Sequence, residues 1–174
     1  MKKLLVVVDM QNDFVTGCLG SSEAQTIVDR LAEYVKKFDG DVVFTQDTHG
    51  EDYMNTQEGR KLPVPHCIQG SDGWKIIPRL SGVAEKNKVF LKPTFASKEL
   101  AAYVADNYGK GENYAEVELC GVCTGICVLS NACMIKGFVP ELPVKVLGDL
   151  CACVTPKTHE TALDAMRTFQ IDIA

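Results

Sequence analysis

The chain has 174 residues, 46% apolar and 24% charged, with a net charge of −5. That length fits a single domain over residues 1–174 with a substantial core. The acidic balance disfavours nucleic acid and anionic membrane as partners, which need basic patches, and no apolar stretch is long enough to cross a bilayer.

The opening run, Met-Lys-Lys-Leu-Leu-Val-Val-Val-Asp9, is short, ends on a carboxylate and lacks a small-residue cleavage site. It reads as a central strand over 3–9 rather than a secretory signal, and a cytoplasmic protein is expected. Ile27, Leu31, Tyr34 and Val35 recur at helical spacing, which predicts a helix over Ser22–Phe38. A second strand is predicted over 41–46, running into Asp47-Thr-His49. Residues 47–87 then break the regular pattern with Gly50, Gly59, Pro63, Pro65, Gly70 and Gly73 and carry His49 and His66. A loop of that length in a compact domain is usually functional or disordered, and its histidines and aromatic residues favour function.

Further strands are predicted over 88–92, 115–122 and 143–148, with a short last one at 170–173. Helices are predicted over Ser97–Tyr108, over Gly125–Lys136 with Thr124 as cap and Gly137 as stop, and over Pro156–Phe169 with Thr155 as cap. Strands alternate with helices, and each strand is an almost continuous apolar run. Such a chain forms a mostly parallel sheet covered on both faces, a three-layer α-β-α architecture.

Eight cysteines in a chain of this size, without a secretory signal, are expected as reduced thiols. Cys120-x-x-Cys123 is a weak signal for zinc or redox chemistry. Cys133, Cys151 and Cys153 are expected to pack as small apolar residues.

Asp9, Lys92 and Cys127 each end or follow a strand-like run. Taken singly, Asp9 reads as a cap for the Asn12–Phe14 turn, Lys92 as an exposed strand end and Cys127 as a buried structural thiol. At the carboxyl edge of one parallel sheet they would meet as base, electrostatic helper and nucleophile. Cys127 falls in the first turn of a predicted helix, where amide dipoles favour a thiolate and free N–H groups can hold an oxyanion. Asp47, His49 and His66 suit zinc, iron or manganese. Glu58 is either a further ligand or a solvated loop carboxylate, and His159 reads as structural.

Five blocks carry a resemblance that runs nearly end to end: Val-Val-Asp9-Met-Gln-Asn-Asp13-Phe14, Thr-Gln-Asp47-Thr-His49, Pro65-His66-Cys-Ile-Gln-Gly70, Lys92-Pro-Thr-Phe95 and Gly121-Val-Cys-Thr-Gly-Ile-Cys127-Val. In them the chain resembles the isochorismatase-like cysteine hydrolases, and among these the nicotinamidase-like amidohydrolases. The resemblance implies a six-stranded parallel sheet and an Asp9–Lys92–Cys127 triad. It implies a metal site, foremost for zinc, at Asp47, His49 and His66, with Glu58 at the place of a fourth ligand found in some members. It also implies a non-proline cis peptide, Val122–Cys123, that directs the Cys123 and Cys127 N–H groups at one oxyanion. The implied activity is hydrolysis of a small-molecule amide, nicotinamide or a related heterocycle, through a thioester on Cys127, by a homo-oligomer.

Many nicotinamidases carry an aromatic residue three positions before the histidine of the Pro-His block, where this chain has Pro63. Phe14 is then expected as one wall for a substrate ring and Trp74 as the other. Three other readings compete with the amidase. An isochorismatase-type hydrolase of another small substrate typically lacks the nucleophilic cysteine. A non-catalytic metal-binding protein of the same fold would not need an intact Asp9, Lys92 and Cys127. A redox protein would draw on the CxxC pair.

Overall fold

The computed structural model describes residues 2–108 and 114–174. Six strands form one sheet: β1 (Lys2–Val8), β2 (Asp41–Asp47), β3 (Lys88–Lys92), β4 (Tyr114–Val122), β5 (Val144–Ala152) and β6 (Asp172–Ile173). Every pairing is parallel and the order is β3-β2-β1-β4-β5-β6. The chain therefore steps outward through β2 and β3, returns to place β4 beside β1, and steps outward the other way. The carboxyl ends of β1 and β4 flank the switch point, where open α/β sheets bind their ligands.

Leu4 to Val8 of β1 are all fully buried, as a strand covered on both faces requires. Alternate side chains enter opposite cores. Leu4, Val6 and Val8 pack with residues of α5 (Lys98–Asn107), α6 (Leu129–Phe138) and α7 (Pro156–Thr168). Leu5 and Val7 pack with α2 (Ser22–Lys37) and α4 (Pro78–Ala84). Burial of each such side chain contributes roughly 1.5–3 kcal/mol. The caps are side-chain hydroxyls: Ser21 Oγ accepts from the Ala24 N–H at 3.0 Å, Ser97 Oγ from Leu100 at 3.0 Å, and Thr155 forms a reciprocal capping box with Thr158. Two short helices complete the set, α1 (Asn12–Val15) and α3 (Gln57–Lys61).

Three boundaries differ from those the sequence predicts. Strand β5 continues to Ala152 because its pairing with β4 jumps from Leu119–Val146 to Gly121–Cys151. The intervening residues bulge, which breaks the apolar run at Gly148-Asp149 and yet brings Cys151 and Ala152 up to the switch point. The segment predicted as a helix from Gly125 begins instead as a π-turn, Thr124–Val128, that leads into α6. Thr124 caps nothing there; its hydroxyl meets His159 Nδ1 at 2.8 Å. Gly137 lies inside α6, which ends at Phe138 with Val139 as its C-cap before Pro140, since a following proline disfavours helical backbone.

The long loop is not featureless. It contains a 3₁₀ turn at Tyr53–Asn55, then α3 and α4. Buried Gln11 ties its two ends together. Gln11 Nε2 donates to the carbonyls of Asp47 (2.9 Å) and Trp74 (2.8 Å), while Gln11 Oε1 accepts from the Asp47 N–H at 2.8 Å. Asp13 Oδ2 accepts from the Cys67 N–H at 2.8 Å. Gly73 leaves the room for this, because a Cβ there would fall 2.1 Å from the same carboxylate oxygen.

Candidate active site

Asp9 follows β1 with φ at +48°, a conformation sparsely used by residues other than glycine. Gly121, at φ +117°, lets β4 run close beside β1: a Cβ there would lie 2.2 Å from the Val8 carbonyl oxygen. Lys92 ends β3, two strands away. Its side chain is fully buried, and its Nζ lies 2.7 Å from Asp9 Oδ2, 3.5 Å from Cys127 Sγ and 3.1 Å from Asp47 Oδ1. It also donates to the Thr94 carbonyl at 3.1 Å. Thr45 Oγ1 donates to the other Asp9 oxygen at 2.7 Å. The three predicted chemical residues thus converge, and the exposed strand-end reading of Lys92 does not hold.

Burial pushes the Asp9 carboxyl above its ordinary range, against the attraction of Lys92. Burial opposes the charge on Lys92, but Asp9, Cys127 and Asp47 hold its ammonium well above the usual range. The Cys127 thiol goes opposite to the sequence expectation. Burial, followed by the Asp9 charge, pushes it well up. Burial of the thiol therefore favours activation by proton transfer to Asp9 over a standing thiolate.

The Val122–Cys123 peptide is cis. Cys123 caps the π-turn and Cys127 lies within it, with the Ile126 and Val128 N–H groups both donating to the Cys123 carbonyl. Asn131, one helical turn after Cys127, donates to the Cys127 carbonyl at 2.8 Å and to the Phe95 carbonyl at 3.1 Å, and accepts from the Ser97 N–H at 3.0 Å. A buried asparagine on an apolar helix face is the signal that would have found it.

Asp47, His49 and His66 are buried together, with one ligating atom of each within 4.8 Å of the others. His49 Nε2 is 3.0 Å and His66 Nε2 3.6 Å from Asp47 Oδ2. Glu58 Oε1 stands 3.9 Å from His49 Nε2 and 3.8 Å from His66 Nε2. Around an ion bonded at about 2.0–2.1 Å, tetrahedral ligand atoms sit about 3.3 Å apart, so Asp47, His49 and His66 suit one cation, with Glu58 beside the two histidines. His66 Nδ1 faces the Val64 carbonyl at 2.8 Å, which can only accept. With a cation bound, the proton would therefore sit on Nδ1 and the Nε2 lone pair would face the ion, as metal-ligating histidines are held. Burial opposes ionisation of Asp47, but hydrogen bonds to His49 and His66 and the Lys92 charge hold its carboxyl well below the usual range.

A cavity of about 530 Å³ joins the two clusters. Cys127, Cys123, Asp47, Glu58 and His66 line it, and Phe14, Leu62, Phe95, Ile126 and Val154 give it apolar walls. Phe14 lines the cavity, its ring centroid 5.5 Å from that of His66. Trp74 is not among the lining residues. Its indole N–H donates to Thr48 Oγ1 at 2.9 Å and its carbonyl accepts from Gln11 and Gln46, so it braces the loop behind β2. Leu62 and Phe95 stand at the cavity instead.

This geometry has relatives. A family model described as the isochorismatase domain matches residues 3–173. The nicotinamidase/pyrazinamidase of Mycobacterium tuberculosis is 31% identical over 98% of this chain and 97% of its own. The pyrazinamidase of Pyrococcus horikoshii, solved in complex with zinc, superposes with a TM-score of 0.80 at 27% identity over 100% of this chain and 99% of that one. The nicotinamidase/pyrazinamidase of Bacillus subtilis superposes with a TM-score of 0.79 at 27% identity over the whole of both chains. With the family match covering nearly its entire length, the chain belongs to the isochorismatase family of hydrolases.

Proposed function

We propose that this hydrolase is a cysteine amidase that cleaves the C–N bond of a small amide, with nicotinamide or a related heterocyclic amide as its substrate class. The observation that carries the reading is the position of Lys92 Nζ, 2.7 Å from Asp9 and 3.5 Å from Cys127, beside a cavity that Cys127 lines.

Asp9 accepts the Cys127 proton, and a carboxylate raised by burial is the better base for it. Lys92 keeps its charge and offsets the negative charge shared by Asp9 and sulfur. The thiolate attacks the amide carbonyl while the Cys123 and Cys127 N–H groups receive the oxyanion. Asp9 returns the proton to departing ammonia, which leaves a thioester on Cys127. Asp9 then takes a proton from water as that water attacks the thioester, and returns it to the Cys127 sulfur as the C–S bond breaks and the acid leaves. Asp47, His49, His66 and Glu58 are the residues that would hold a divalent cation, zinc foremost with iron or manganese as alternatives. When bound, the ion supplies a Lewis-acidic docking point for a ring heteroatom of the substrate.

Ammonia release from a panel of aliphatic, benzenoid and pyridine carboxamides tests the reading. Turnover of the heterocyclic amides with formation of the matching acid supports it. Absence of ammonia from every amide, with hydrolysis of a vinyl ether or ester in its place, overturns it.

A further inference from the structure

A second cysteine centre lies behind the oxyanion turn. Cys123 Sγ and Cys153 Sγ are 3.0 Å apart, although the residues are separated by 30 positions in sequence and sit on different strand ends. The partner of Cys123 is therefore not Cys120 of the CxxC pair, which is fully buried within β4. Nor does Cys153 behave as a small apolar filler. Its sulfur accepts a hydrogen bond from the Cys123 thiol at 3.0 Å, close to the Thr158 side chain and the start of the π-turn.

Donors of this kind stabilise a thiolate. Burial works against the Cys153 anion, but these donors outweigh burial and hold the thiol below its ordinary range. Burial drives the other seven cysteines the other way, Cys123 to about 12 through burial and its bond to Cys153. The geometry sets an accepting sulfur, Cys153, against a donating thiol, Cys123, as an attacking and a resolving cysteine require. Small molecules have access from two sides. Both sulfurs' residues line the active-site cavity, and Cys153 also lines a separate cleft of about 220 Å³ between the end of β5 and α2.

We propose that Cys123 and Cys153 form a redox centre that a small hydroperoxide oxidises to an intramolecular disulfide, and that this modification switches off the neighbouring oxyanion turn. The Cys153 sulfur attacks a peroxide oxygen, the O–O bond breaks, and a sulfenic acid and water are formed. The Cys123 thiol then attacks that sulfur, losing its proton as a second water departs. The two thiols lose two electrons and two protons, and hydrogen peroxide is reduced to two waters. Thiol–disulfide exchange with a dithiol reductant reverses the change. The bond pulls Cys123 toward Cys153, and Cys123 carries one of the two oxyanion N–H donors. A misplacement of about 1 Å at a reacting centre costs on the order of a hundredfold in rate. The effect on turnover rests on the amidase reading; the crosslink does not.

The test treats the whole protein with a slight excess of hydrogen peroxide, blocks free thiols and maps disulfides by mass spectrometry without reduction. A Cys123–Cys153 crosslink, retained in Cys120→Ala, lost in Cys153→Ala and removed by dithiothreitol, is the expected result. Both residues remaining alkylatable, or a Cys120–Cys123 crosslink, overturns the centre whatever the enzyme hydrolyses. Amidase rates are then compared, each protein against its own reduced form. The parent should lose about tenfold or more of its rate reversibly, and Cys153→Ala should lose less than about twofold. An equal reversible loss in Cys153→Ala overturns the switch.

Discussion

The Lys92 ammonium lies 2.7 Å from the Asp9 carboxylate with both side chains fully excluded from solvent. Breaking such a pair leaves an uncompensated buried charge, at about 3–5 kcal/mol. Lys92→Met should therefore lose stability by that order in urea denaturation and lose nearly all turnover. Asp9→Asn combined with Lys92→Met should regain much of the stability and none of the activity. A Lys92→Met protein as stable as the parent would contradict the ion pair.

The cavity walls separate two aromatic residues that the sequence placed together. Phe14 lines the cavity, whereas Trp74 bonds to Thr48 outside it. Phe14→Ala should raise KM for aromatic amides about tenfold, of the order expected for losing a buried aromatic contact. Trp74→Phe should change KM by less than about twofold. Steady-state kinetics on both variants decide it, and the reverse ranking would return Trp74 to the site.

Metal content is the check on the Asp47–His49–His66 cluster. Protein purified without chelator and resupplied with zinc, iron or manganese should hold about one equivalent by elemental analysis, matching a single site. His49→Ala should hold much less and show a raised KM. Stoichiometric metal in His49→Ala would place the ion elsewhere.

Far from the site, Glu116 on β4 is held by Lys3 at 2.9 Å and Lys145 at 2.8 Å. Burial opposes its ionisation, but the two lysines bring its carboxyl down from 4.5 to about 2. A depressed folded-state value adds stability above the unfolded value, and that stability is lost as pH falls from about 4.5 toward about 2. The contribution is roughly 1–3 kcal/mol. Glu116→Gln should be less stable than the parent at pH 7, with the difference shrinking as the pH approaches 2. A difference that does not vary with pH would contradict the assignment.

What was legible in the sequence follows from where each contact comes from. Strand β1 declared itself because burial on both faces demands an unbroken apolar run, β2 to β4 showed as shorter apolar runs, and the chemical residues showed at the polar ends of those runs. The β5 bulge was hidden because Gly148 and Asp149 interrupt such a run while the pairing with β4 resumes beyond them. The loop over 47–87 could not be read because Gln11 and Asp13 hold it, and neither partner lies near it in sequence. Trp74 was misplaced for the same reason. The supporting Thr45 and Asn131 were missed because a hydroxyl or amide inside an element shows nothing of the partner it will meet. The Cys123–Cys153 pair needed the same bulge to bring β5 up to the turn, so spacing pointed to Cys120 instead.

The central claim is that Cys127 is the nucleophile, and the direct measurement is steady-state ammonia release by Cys127→Ala under conditions where the parent turns over. The account predicts a fold unchanged by circular dichroism and a rate at least about a thousandfold lower, the scale on which removal of an attacking group acts. A mutant that keeps more than about a tenth of the parent rate, a loss of under about 1.4 kcal/mol in transition-state stabilisation, would contradict it.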